Sequence, residues 1–388
     1  MSDLLFRSIV EKLRLPIIQA PMAGGPCSVE FVGSVLKEGL IGSFGFAYSK
    51  PETIVDELSK VRSIHKGPVN ANFFMFNPLE APAKADLDEA VLALQRLACL
   101  EQSAENESDG QKLFEDPEQK YSQAAAKAFF DDSAKKLFTP PFFPSLEAQL
   151  DTLWTSPPDL LSFHFGLPPS WVFKKAQQLQ IPVLITASSI DEALAIDQSG
   201  ASAIIAQGIE AGGHRGYFDP ETLSDPLDGL PTLDLVEAMA KRVKLPVVAA
   251  GGIMQGGAIR EALRRGACAV QMGTAFLACH ESGASKEHKQ LLTQEPHRGT
   301  VFTKAFSGRY ARGLSNRFTE AMKDSPVLAF PQQNSLTGAL RQRSAQIGNP
   351  EYQSLWAGTG YRYCRAESVK DLVDRLEAGY HAAEKRDR

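Results

Sequence analysis

Eight short apolar runs, each bounded by turn residues and followed by a helix-like stretch, constrain this chain more than any other feature. They are Pro16-Ile-Ile-Gln-Ala20, Leu40-Ile-Gly-Ser43, Pro68-Val-Asn-Ala-Asn72, Leu160-Leu-Ser-Phe-His164, Pro182-Val-Leu-Ile-Thr186, Ala203-Ile-Ile-Ala206, Pro246-Val-Val-Ala-Ala250 and Ala267-Cys-Ala-Val-Gln271. Runs that do not alternate suit strands buried on both faces, as in a parallel sheet. Between them, Ser170 to Gln180 and Asp191 to Ser199 carry apolar residues at helical spacing, with Asp191 expected as the cap before Glu192. Gly200 and Gly266 stand where a glycine ends a helix just before the next strand. Eight such units match a (β/α)8 TIM barrel in count and size. A doubly wound open sheet is the rival, and it demands no regular eightfold spacing.

Two stretches break the rhythm. From about Pro78 to Pro158 the chain is charged and helix-favouring, then proline-rich at Thr139-Pro-Pro-Phe-Phe-Pro144. The expectation is an α/β barrel formed by residues 1–78 and 158–280. A helical insertion at 79–157 follows strand three, either a lid or a solvated decoration. A C-terminal extension, 281–388, packs on the barrel and ends in an amphipathic helix near Ser368 to Glu384.

Composition narrows the function classes. With 43% hydrophobic and 22% charged residues the chain has material for a sizeable core. A net charge of −5, with dispersed pairs such as Lys241-Arg242, gives no electrostatic case for nucleic acid. No run approaches the roughly 18 apolar residues of a spanning helix, and charges interrupt the first fifteen residues. The five cysteines form no CxxC pair, which suits a reducing cytosol and offers no zinc site. The expected location is cytoplasmic, with no membrane, metal or nucleic-acid partner.

A barrel assembles its active site at the carboxyl ends of its strands. Those ends read Gln19-Ala20-Pro21-Met22, Asn72, His164, Thr186, Gln207, Gly251-Gly252 and Gln271-Met272-Gly273-Thr274. They are rich in amides, glycines and histidines and poor in carboxylates, so paired-acid glycoside chemistry is not on offer. Gln207 leads into Gly208-Ile-Glu-Ala-Gly212-Gly213-His214-Arg215-Gly216. That turn is either a tight connection with a surface histidine or a ligand turn that sets an imidazole beside its ligand. The glycines after strands seven and eight fit the phosphate site common in these two loops, with Thr274 as a hydroxyl donor. Asn72 and Gln207 present amides suited to the heteroatom edge of a flavin, and Ala20, Pro21 and Met22 an apolar wall. No GxGxxG sits on a strand–helix unit, so the single phosphate of FMN fits better than a dinucleotide.

These residues also resemble a family. Gln19-Ala-Pro-Met22, Asn70-Ala-Asn72, Ser162-Phe-His164-Phe-Gly166, the glycine turn with His214, Ala249-Ala-Gly251-Gly252-Ile253 and Gln271-Met-Gly-Thr274 together look like nitronate monooxygenase, formerly 2-nitropropane dioxygenase. Ser307-Gly-Arg-Tyr-Ala-Arg-Gly-Leu-Ser-Asn316 looks like the fourth motif of its class I. The resemblance implies oxidation of alkyl nitronates, propionate 3-nitronate among them, by dioxygen to a carbonyl compound and nitrite, through an FMN semiquinone. It implies His214 as the catalytic histidine and FMN held by Ala20, Pro21, Met22, Asn72, Gln207, Gly212, Gly213, Gly251, Gly252 and Gln271 to Thr274. By the same resemblance His164 would face the substrate. Ser307, in a polar segment with Arg309 and Arg312, is a further expected substrate contact, the alternative being that the arginines only tie the C-terminal segment to the barrel through surface pairs; a monomer or homodimer is expected. The rivals are an FMN-dependent enoyl-carrier-protein reductase and a flavin-free phosphate-binding barrel.

Overall fold

The computed structural model describes residues 2–76, 80–103, 134, 144–220, 222, 223 and 225–386. Most of the expected 79–157 insertion, including all of Thr139-Pro-Pro-Phe-Phe except its flanking Pro144, lies outside the described residues. Two compact units emerge. One comprises Met1–Asn77, Pro144–His297 and Ala357–Arg388, the other Pro78–Phe143 and Arg298–Trp356.

The first unit is a parallel barrel. Its strands are β1 (Ile17–Gln19), β2 (Gly42–Gly45), β3 (Val69–Phe74), β4 (Leu160–His164), β5 (Val183–Ala187), β6 (Ala203–Gln207), β7 (Val247–Ala250) and β8 (Ala267–Met272). They run in the order β1-β8-β7-β6-β5-β4-β3-β2. A parallel bridge between Ile18 and Ile41 joins the two ends, and the Gln19 N–H donates to the Ile41 carbonyl over 2.9 Å. All eight expected strands are present. Gly200 (φ 100°) and Gly266 (φ 104°) take the left-handed conformation expected after a helix.

One cap differs from expectation. Ser189, not Asp191, caps the Ile190–Asp197 helix, because its hydroxyl accepts from the Glu192 N–H while the Glu192 side chain returns to the Ser189 N–H. That reciprocal box needs a serine three residues before the glutamate, whereas Asp191 sits inside the first turn.

The barrel interior is layered. Phe6 and Val10 of the Ser2–Val10 helix join Ile18, Leu160, Leu184, Ala203, Val248 and Ala269 in one apolar cluster, so that helix plugs the amino-terminal end. Toward the opposite end the layer turns polar. Asn70 Nδ2 donates to Ser43 Oγ (3.1 Å) and Ser162 Oγ (3.0 Å), and Ser43 N–H donates to Gln19 Oε1 (2.8 Å). The C-terminal helix, Val369–Arg386, belongs to this unit. A Cβ on Gly256 would stand 2.1 Å from the Leu376 carbonyl oxygen and 2.2 Å from the Tyr380 nitrogen, so the helix after β7 meets it backbone to backbone. Arg14 reinforces that end with 2.7 Å contacts to Glu38, Asp374 and Glu377.

The second unit redraws the expected division. Leu87, Ala90, Leu94 and Leu97 of the Lys84–Ser103 helix share a core with Phe306, Phe318, Leu336, Leu340 and Tyr352. The insertion and the 298–356 stretch therefore bury each other's apolar faces, while 281–297 and 357–388 belong to the barrel unit. An antiparallel hairpin, β9 (Thr300–Thr303) with β10 (Ala311–Leu314), completes it. Among the described residues no helix is long and apolar enough to cross a membrane.

Candidate active site

The turn after β6 is anchored at one carbonyl. The His214 backbone oxygen accepts from Gln207 Nε2 at 2.9 Å and from His164 Nε2 at 3.2 Å. A carbonyl has two lone pairs and cannot donate, so His164 carries its proton on Nε2 and both acceptor positions are filled. Gln207 Oε1 accepts the Gly216 N–H at 2.7 Å. A Cβ at Gly216 would lie 2.9 Å from His164 Cε1, which explains why the turn needs glycine there. His164 and Gln207 thus come together with His214, and each holds the turn in place. Arg215, the next residue, is buried, and burial lowers its affinity for its proton. Its Nη2 donates to the Asp228 carbonyl at 3.4 Å, while Nε and Nη1 have no partner among the described residues.

A second group of residues forms a cradle of bare backbone. A Cβ on Gly212 would stand 2.5 Å from both the Ala357 carbonyl carbon and the Gly358 nitrogen, and one on Gly358 would stand 2.6 Å from the Glu210 oxygen and 3.4 Å from Thr274 Oγ1. Thr274 Oγ1 accepts the Gly358 N–H at 3.0 Å, which leaves its own proton to donate. Gly252 packs on Glu210, whose carboxylate accepts from the N–H (2.9 Å) and hydroxyl (2.8 Å) of Thr232. The β6, β7 and β8 loops therefore converge with residues 357–360. That last segment was missed from the sequence, although Gly358-Thr359-Gly360 is itself a glycine-flanked hydroxyl.

The β1 end packs beside it. A Cβ on Gly273 would stand 3.3 Å from Ala20 Cβ and 3.8 Å from Met22 Sδ. The Cys27 sulfur accepts from the Met22 N–H and from Gln19 Nε2, both at 3.2 Å, and fixes this loop. Its thiol is pushed up to about 12 by burial and stays protonated. Asn72 Nδ2 donates to Ser162 Oγ at 2.9 Å. Ser307 lies in the second unit, where its hydroxyl donates to the Arg309 carbonyl at 3.1 Å in a local turn.

Comparison with known proteins now decides the family. A family model described as Nitronate monooxygenase matches residues 7–379. The chain belongs to the nitronate monooxygenase family. It is similar to nitronate monooxygenase of Pseudomonas aeruginosa, at 37% identity over 372 residues (94% of this chain, 97% of that protein). The Paraburkholderia phytofirmans enzyme of the same name is 35% identical over 365 residues (93% of this chain, 91% of that protein). Among solved structures, nitroalkane oxidase from Streptomyces ansochromogenes superposes with a TM-score of 0.82 at 32% identity, covering 98% of this chain and all (100%) of the other. FabK from Thermotoga maritima, at TM-score 0.68 and 21% identity over 98% and 96% of the two chains, shares the fold.

The nitronate monooxygenase barrel also fits a flavin. Gln271 Oε1 is buried without a partner among the described residues, an acceptor suited to a ring N–H donor. The glycine-lined meeting of the β6, β7 and β8 loops leaves backbone and the Thr274 hydroxyl for a phosphate.

Proposed function

We propose that this protein is an FMN-dependent nitronate monooxygenase that oxidises alkyl nitronates with dioxygen to carbonyl compounds and nitrite. One observation carries it: the His214 carbonyl accepts from Gln207 at 2.9 Å and from the His164 imidazole at 3.2 Å, which brings the end of β4 against the glycine turn that carries His214. The phosphate of FMN is assigned to Gly212, Gly252, Gly273 and Thr274, with Gly213 and Gly251 completing the two turns. Gln271 and Asn72 would meet the ring edge, and Ala20, Pro21, Met22 and Met272 would line its apolar side. The bound flavin supplies one-electron redox chemistry between substrate and dioxygen.

The chain's own residues handle charge. A nitronate has already lost its carbon proton, so the site must hold a delocalised anion rather than create one. The His214 imidazole donates to a nitronate oxygen and offsets that charge. With a neutral nitroalkane the same ring serves as base and takes the carbon proton. Phe74 and Phe165, whose rings centre 6.2 and 5.7 Å from His214, give that side an apolar lining. The four described free cysteines suit a cytoplasmic setting.

The test is anaerobic mixing of FMN-loaded protein with a nitronate while the visible spectrum is recorded. Bleaching of the flavin, followed by nitrite on admission of air, is expected. An unchanged spectrum, together with steady NADPH oxidation by an enone thioester, would instead assign an enoyl reductase.

A further inference from the structure

Arg215 is a buried cation that its surroundings leave unsatisfied. It follows His214 on the glycine turn and is only 2% exposed. Its Nη2 donates to the Asp228 carbonyl over a long 3.4 Å, while Nε and Nη1 have no hydrogen-bond partner among the described residues. Gly229 closes over it, since a Cβ there would stand 2.7 Å from Nη2. Burial weakens its hold on its proton, and the charges that oppose this belong to Glu192, Tyr217 and Glu210. A guanidinium stays charged at neutral pH even so. Keeping a buried charge with idle donors lowers stability, and an apolar side chain of similar length avoids that cost.

Glu192 and Glu210 are occupied elsewhere. Glu192 accepts from the Phe218 N–H at 2.7 Å and the Ser188 N–H at 2.6 Å, which ties the far end of the turn to the Ile190–Asp197 helix. Glu210 accepts from the Thr232 N–H at 2.9 Å and from its hydroxyl at 2.8 Å. Thr232 opens a helix whose N-cap position is Pro231, which supplies no side-chain cap. Both carboxylates therefore pin backbone around the turn, and both set negative charge behind a site that receives an anion. Arg215 stands among them and offsets it.

We propose that Arg215 determines the site's preference for anions by opposing the field of Glu192 and Glu210 behind the His214 turn. The inference rests on the nitronate reading and deepens it: the enzyme selects the nitronate over its neutral nitroalkane through a charge that the substrate does not touch. A buried charge is screened little by salt. Neighbouring Cα atoms lie about 3.8 Å apart, so even with both side chains extended the guanidinium is within about 13 Å of the imidazole. One unit charge at that distance, in an effective dielectric of about 20, changes anion affinity about tenfold.

Acetate and acetamide, alike in shape and different in charge, are titrated by calorimetry into FMN-loaded wild type and Arg215→Met, and ethyl nitronate is assayed for nitrite. In the variant acetate affinity is expected to fall about tenfold and the KM of ethyl nitronate to rise by about the same factor, with acetamide unchanged. Its melting temperature is expected to be no lower than that of the wild type. Adding Glu210→Gln, whose amide oxygen can keep both Thr232 contacts, is expected to recover at least about threefold in acetate affinity. Acetate and acetamide weakened alike, with a lower melting temperature, would assign Arg215 to structure and overturn the proposal. Acetate affinity unchanged in Arg215→Met, or no tighter than acetamide in the wild type, overturns it too. Acetate binding that depends on Arg215, with no nitronate oxidised by the wild type, overturns the reaction assignment instead.

Discussion

His288 gives the barrel unit a calculable sensitivity to acid. It lies on the Lys286–Gln294 helix, capped where its N–H donates to Ser285 Oγ at 3.2 Å. The side chain is buried, Nε2 has no partner among the described residues, and burial lowers its pKa from 6.5 to about 4. The folded chain keeps this imidazole neutral while the unfolded chain takes up a proton. Its contribution is therefore fully present above pH 6.5 and is lost as the pH falls toward 4. At about 1.4 kcal/mol per pH unit the whole loss is about 3 kcal/mol, of which about 2 kcal/mol falls between pH 7.5 and pH 5. His288→Phe removes the titration and keeps a ring in the space. Urea unfolding followed by fluorescence at both pH values should show the wild type losing about 2 kcal/mol more than the variant. Any packing change in the variant appears equally at both pH values and cancels. Equal losses in the two proteins would refute the assignment of acid sensitivity to this side chain.

His214→Asn should leave FMN bound, since the carbonyl that anchors the turn is backbone, while nitrite formation falls by at least about a hundredfold; full activity dismisses the histidine's role. Gly212→Ala places a methyl 2.5 Å from the backbone of Ala357 and Gly358. It should cost about 1–3 kcal/mol of stability and weaken FMN at least about tenfold, read by thermal melts with and without FMN; an unchanged FMN-induced shift refutes the cradle.

Legibility followed locality. The eight strands were readable because burial on both faces removes alternation and leaves plain apolar runs such as Val247–Ala250. The glycine turn and its histidine were readable because Gln207 and Gly216, which pair, lie nine positions apart. Gly358 was not, because its partners Gly212 and Thr274 stand far upstream and only the closed fold brings them near. The second core escaped for the same reason. Neither the Lys84–Ser103 helix nor the segment around Phe306 declares a partner more than two hundred positions away. The Ser189 cap lay in plain sight, masked by an aspartate two residues on.

The cradle's dependence on Gly358 orders events during biosynthesis. Under the FMN reading, a phosphate resting on the β6 loop and Thr274 needs backbone made about 150 residues after Gly212, about seven to thirty seconds later at typical elongation rates. Every barrel strand is made before that backbone arrives. Under that reading the cofactor site is complete only once residue 358 has been made, after the last barrel strand.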